Sequence, residues 1–138
     1  VVVNGDIQTC ADAVQALVDS GADAVMIGRA VQGRPWLPGQ IARYFATGAR
    51  VGTPSLAEQF NLIDALYDEM LNHHGLTIGR RHARKHLGWA LNAAAITAEA
   101  PAEQLKHHRN RVLTADEPKH ARQMLAEAFD DFGRRAAA

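Results

Sequence analysis

The hydrophobic pattern changes period about a third of the way along the chain. Val1-Val2-Val3 is a short apolar run, as expected of a strand buried on both faces, and it ends abruptly at Asn4-Gly5-Asp6. Thr9 is placed to cap a helix through CADAVQALVDS, whose apolar positions Ala13, Val14, Leu17 and Val18 recur at helical spacing up to a stop at Gly21. DAVMIG then predicts a second buried strand ending at Gly28-Arg29. Strand, helix and strand within this length form one βαβ unit, and two parallel strands need further neighbours to make a stable sheet.

From there the period is helical throughout. A short helix ends at Gly48, and RVGTP, with Gly52 and Pro54 as breakers, predicts a linker over residues 49–54 between a segment 1–48 and a helical domain 55–138. Ser55 and Glu58 have capping-box spacing ahead of a long helix with the stripe Leu56, Phe60, Ile63, Tyr67 and Met70, stopped at Gly75. A second helix, GRRHARKHLGWALNAA, sets Ala83, Leu87, Ala90, Leu91 and Ala94 on one face. Pro101 opens a third, in which His107 and His108 are expected to face solvent or cap. Asp116 and Pro118 open a fourth, with the stripe Ala121, Met124, Leu125, Ala128, Phe129 and Phe132. Four such helices on short loops predict a four-helix-bundle-like domain, with GRRAAA as a frayed end.

Charge refines this division. The net charge is zero, but residues 1–70 hold 4 Lys/Arg and 8 Asp/Glu, a balance of −4, whereas residues 71–138 hold 11 and 7, a balance of +4, and all 7 histidines. On the second helix of the domain, Arg80, Arg81, Arg84 and Lys85 share the arc opposite the apolar face, with His82, His86 and Trp89 beside it. Four cations without an intervening acid repel one another, so an anionic partner stabilises them; Lys106, Arg109 and Arg111 on the next helix add to the field. His82 and His86 have ligand spacing but no third partner at a diagnostic distance, so no metal is expected. The single cysteine, Cys10, excludes an internal disulfide framework and points to a cytosolic setting, and no apolar run is long enough to span a bilayer.

The two strand ends carry the other candidate chemistry. In parallel α/β folds, ligands lie beyond the carboxyl ends of the strands. Glycine at both ends admits a ligand to the backbone, and GRAVQG predicts a short helix whose N–H groups, with Arg29, favour an anion. Each end taken singly is equally a tight turn or strand stop.

NGDI, GADAVMIGRAVQGRPW and ARKHLGWAL together resemble bacterial tRNA-dihydrouridine synthases, most closely the B-type branch, over essentially the whole chain. The resemblance implies a mainly α fold: the last βα units of a flavin-binding TIM (β/α)8 barrel followed by a helical tRNA-binding domain. It implies that Asn4, Gly5 and Asp6, with Gly28, 24 residues after Asn4, and Arg29, contact flavin mononucleotide (FMN), the last two at its phosphate. It further implies reduction of the C5=C6 bond of uridines in tRNA with NADPH as the reductant, and places Arg84 and Lys85 on the RNA-facing helix. The family's cysteine proton donor belongs to an earlier barrel loop, and Cys10 does not match it. Val1 already lies in mid-strand, so the chain is expected to be cut from a longer polypeptide, to lack the N-terminal barrel segment, and to be inactive alone. Two other readings stay open: a stand-alone RNA-binding or interaction module with a vestigial barrel edge, and a barrel enzyme for another flavin or sugar-phosphate substrate, against which the basic helix argues.

Overall fold

A computed structural model describes residues 1–136. The chain is mainly helical with one small parallel sheet, and it divides into two compact units, Val1–Gly52 and a second from Thr53 onward.

In the first unit, β1 (Val2–Asn4) and β2 (Ala24–Met26) pair in parallel, with Val2 opposite Ala24, Val3 opposite Val25 and Asn4 opposite Met26. The crossover is α1 (Cys10–Ser20), opened by a capping box in which Asp12 N donates to Thr9 Oγ1 (3.1 Å) and Thr9 N donates to the Asp12 carboxylate (2.9 Å). A single 3₁₀ turn at Arg29–Val31 and α2 (Leu37–Thr47) complete the unit. Its core is Ile7, Ala13, Leu37 and Ile41, with Cys10, Ala16, Val25, Ile27 and Ala30 packed against them. The strands are not buried on both faces, as their apolar runs predicted. Val3 and Val25 are half-buried, whereas Val2 and Met26 are 61% and 52% exposed. Two strands carry one layer of helix on one face, and nothing in this unit covers the other.

In the second unit, α3 spans Leu56–Thr97 but is broken at Gly75, whose φ of 77° and ψ of 166° no helix contains. The break turns the chain back on itself. Gln59 Nε2, near one end of α3, donates to Thr97 Oγ1 at the other (2.9 Å), so residues 56–74 and 76–97 run antiparallel. Gly79 makes the closest approach between these limbs: a Cβ there would lie 2.5 Å from the Met70 carbonyl oxygen. α4 (Ala102–Thr114) and α5 (Pro118–Ala136) then pack on the hairpin. The Ser55–Glu58 capping box forms as its spacing predicts.

One core unites the four helical segments. Ile63, Tyr67, Ala83, Leu87, Leu91, Ala94, Leu125, Ala128 and Phe132 are buried in it, among others, so the sequence stripes are the buried faces. Polar clamps tie the segments together: the Arg122 guanidinium binds Asp64 through two nitrogens (2.6 and 2.7 Å) and reaches Asp68 (3.1 Å). His108 neither faces solvent nor caps. It is 5% exposed, its ring edge meets Phe132, and its Nε2 lies 2.9 Å from the Asp131 carboxylate. The α4 periodicity puts it beside Val112 and the core, where a carboxylate on α5 supplies its partner. Its neighbour His107 is exposed.

Candidate functional site

The parallel register sets the ends of β1 and β2 side by side. An open depression of about 860 Å³ lies over them, and Asn4, Gly5, Asp6, Gly28 and Arg29 all line it. The five residues singled out in the sequence are therefore gathered in one place. The short helix expected after Gly28 is a single turn of 3₁₀ helix, Arg29–Val31, with Val31 N donating to the Gly28 carbonyl (3.2 Å); at one turn its dipole adds little. The positive charge comes from side chains instead. Arg29 Nη2 lies 2.6 Å from Asp6 Oδ1, with the two side chains 83% and 78% exposed. An ion pair so open to water contributes at most about 1 kcal/mol, and an incoming anion can replace Asp6 at little cost. Arg34, which the sequence reasoning missed, also lines the depression; its Nε donates to the Ala30 carbonyl (3.0 Å), which fixes the guanidinium. The signal for it was the second arginine of GRAVQGRPW. Cys10, at the start of α1, is not among the lining residues.

The basic residues of the second unit divide into two groups. Arg81, Arg84 and Lys85 are exposed on residues 76–97, opposite the buried Ala83, Leu87 and Leu91, and Arg80 is half-buried with its Nε enclosed. Among the described residues, none of these four makes a salt bridge. Lys85 Nζ lies 5.9 Å from the centre of the Trp89 ring, within cation–π range, and His86 meets the same ring edge-on at 5.1 Å. Burial, seconded by Lys85 and then His82, pushes the His86 imidazole below its ordinary pKa and so favours its neutral form. Lys106 is exposed on α4. Arg109 and Arg111, by contrast, are engaged within the fold. Arg109 Nη1 donates to the Gly88 carbonyl (2.7 Å) and to Asn92 Oδ1 (2.8 Å), and Arg111 pairs with Glu127 (2.8 Å). Sequence spacing gave no sign of this, because their partners lie 16–21 residues away.

Residues 1–132 match the family model described as "Dihydrouridine synthase (Dus)". The chain belongs to the dihydrouridine synthase family. Among curated members, it is 46% identical over 99 residues to a Rickettsia prowazekii protein named "Probable tRNA-dihydrouridine synthase", covering 72% of this chain and 30% of that one. A Rickettsia conorii protein of the same name is 36% identical over 129 residues, covering 94% of this chain and 37% of its own length. The "tRNA-dihydrouridine synthase B" of Xanthomonas campestris is 44% identical over 114 residues, covering 76% and 34%. The chain thus spans about a third of the length of these dihydrouridine synthases. No helix among the described residues is long and apolar enough to cross a membrane, and no three His, Cys, Asp or Glu side chains are grouped so as to hold a metal ion.

Proposed function

We propose that this chain is the part of a B-type tRNA-dihydrouridine synthase that binds tRNA and supplies one lip of the FMN phosphate site. In this reading the first unit is the last two strands of the (β/α)8 barrel and the second is the tRNA-binding helical domain. The observation that carries the proposal is the gathering of Asn4, Gly5, Asp6, Gly28 and Arg29, with Arg34, over two parallel strand ends in a chain of this family.

The depression fits the phosphate end of a flavin mononucleotide. Two guanidiniums converge on it, one of them released from Asp6 by any stronger anion, and Gly5 and Gly28 leave the space over the backbone open. When bound, the flavin supplies the hydride for the uracil C5=C6 bond, regenerated by NADPH. This chain's own residues hold and orient it: Arg29 and Arg34 fix the phosphate, and Asn4, Gly5 and Asp6 bound the adjoining space. None of them replaces the proton donor, and Cys10 is not among the residues lining the depression, so the 138-residue polypeptide alone is expected to be inactive. Arg81, Arg84 and Lys85, with Arg80 on the same limb and Lys106 on α4, hold the tRNA backbone. That attachment offsets the few kcal/mol needed to turn a uridine out of its stack.

The test is dihydrouridine formation. The whole synthase containing this segment is expected to convert uridine in unmodified tRNA, detected by mass spectrometry, in the presence of FMN and NADPH. Arg84→Glu with Lys85→Glu is expected to weaken tRNA binding at least tenfold and flatten its salt dependence, with melting temperature unchanged. Wild-type affinity and salt slope in that variant would remove this helix from the RNA face.

A further inference from the structure

The hairpin of α3 carries aromatic rings that neither the core nor the phosphate contacts use. From Met70 to Ala98 the chain has no carboxylate, while it holds His73, His74, His82 and His86 alongside Arg80, Arg81, Arg84 and Lys85. The break at Gly75 brings the two limbs together so that the rings of His74 and His82 stack, centroids 5.1 Å apart and planes 20° from parallel, with His73 edge-on to His74 at 4.6 Å. All three histidines are exposed. A shallow depression of about 490 Å³ opens beside the stack, lined by Ile78, Arg81, His82 and Lys85, and Ile78 is itself 53% exposed. Flat π surface, an apolar floor and flanking cations without an acid are what an unpaired base and its two phosphates require. A duplex, whose bases are already stacked, has no use for the rings.

We propose that the His74–His82 stack and the depression beside it form a subsite for one unpaired, outward-turned nucleobase of the bound RNA, with Arg81 and Lys85 on its flanking phosphates. This rests on the tRNA-binding reading above and adds to it a preference for unpaired over duplex RNA. Ile78 and Lys85 bound the base pocket, and the limb contact at Gly79 holds the stack in place.

The complete chain can be titrated with a single-stranded RNA bearing 2-aminopurine, a blunt RNA duplex of equal phosphate number, tRNA, and vesicles of anionic phospholipid. The single strand and the tRNA loop regions are expected to bind in preference to the duplex, with quenching of 2-aminopurine as the base stacks. His74→Ala with His82→Ala is expected to lose about tenfold in single-strand affinity and the quenching, leaving the salt slope unchanged because no phosphate contact is lost. His74→Phe with His82→Phe, which keeps flat rings, is expected to restore both; circular dichroism checks the fold of each variant. Equal affinity for duplex and single strand, or an alanine pair that binds and quenches as wild type, overturns the subsite while tRNA binding stands. Binding of vesicles but of no RNA overturns the subsite and the tRNA reading together.

Discussion

At the strand ends, Asp6 and Arg29 hold each other at 2.6 Å in open solvent, so their pairing adds little to stability and leaves Arg29 available to an anion. Arg29→Ala is therefore expected to leave the melting temperature within about 1 °C and to lower the flavin content of the purified synthase, read from its visible absorbance. A buried residue behaves differently. His108 is enclosed, its Nε2 lies 2.9 Å from the Asp131 carboxylate, and its Nδ1 is buried without a hydrogen-bond partner. Bonds from His108 first and Gln104 second hold the Asp131 carboxyl below its ordinary 3.8. A carboxylate depressed in the folded state contributes stability that is complete above its unfolded value and fades as pH falls through the folded one. Acid unfolding below about pH 4 is thus expected to steepen through Asp131. Asp131→Ala is expected to destabilise the helical unit by about 1–3 kcal/mol in urea at neutral pH, since it orphans a buried N–H, and to flatten that acid limb.

At the scale of elements, the α3 hairpin is set by two glycines for two different reasons. Gly75 takes a backbone conformation that only glycine adopts freely, and Gly79 lets two limbs touch at the Met70 carbonyl. Gly79→Ala is expected to cost about 1–3 kcal/mol, measured by thermal unfolding, because the added methyl meets backbone that cannot rotate away. The caps at Thr9–Asp12 and Ser55–Glu58, the buried stripes of α3 and α5, and the stop at Gly75 were legible in the sequence because each depends on residues within about a turn of one another. The hairpin contact at Gly79, the burial of His108 and Gln59, and the diversion of Arg109 and Arg111 into helix packing were not, since their partners come from other segments. The candidate ligand site divides in the same way. Glycine-bearing strand ends one βαβ apart marked five lining residues, whereas Arg34 joins them only through the path of the turn after β2.

At the scale of the molecule, the two units bury very different cores. The helical unit encloses Leu91, Ala94, Leu125, Ala128 and Phe132 completely, while the sheet of the first unit has no fully enclosed strand residue. Hydrogen exchange is accordingly expected to be slowest at amides around Leu91 and Leu125 and fast at Val3 and Val25; the reverse order would mean that the sheet is the more stable element. The sheet has a further consequence. Each strand has a single hydrogen-bonded neighbour among the described residues, so each presents one unpaired backbone edge, flanked by exposed Val2 and Met26. Such an edge templates the addition of another strand wherever one is offered. In concentrated solution β1 and β2 are therefore the expected seed of self-association of the isolated polypeptide, which light scattering over a concentration series would report.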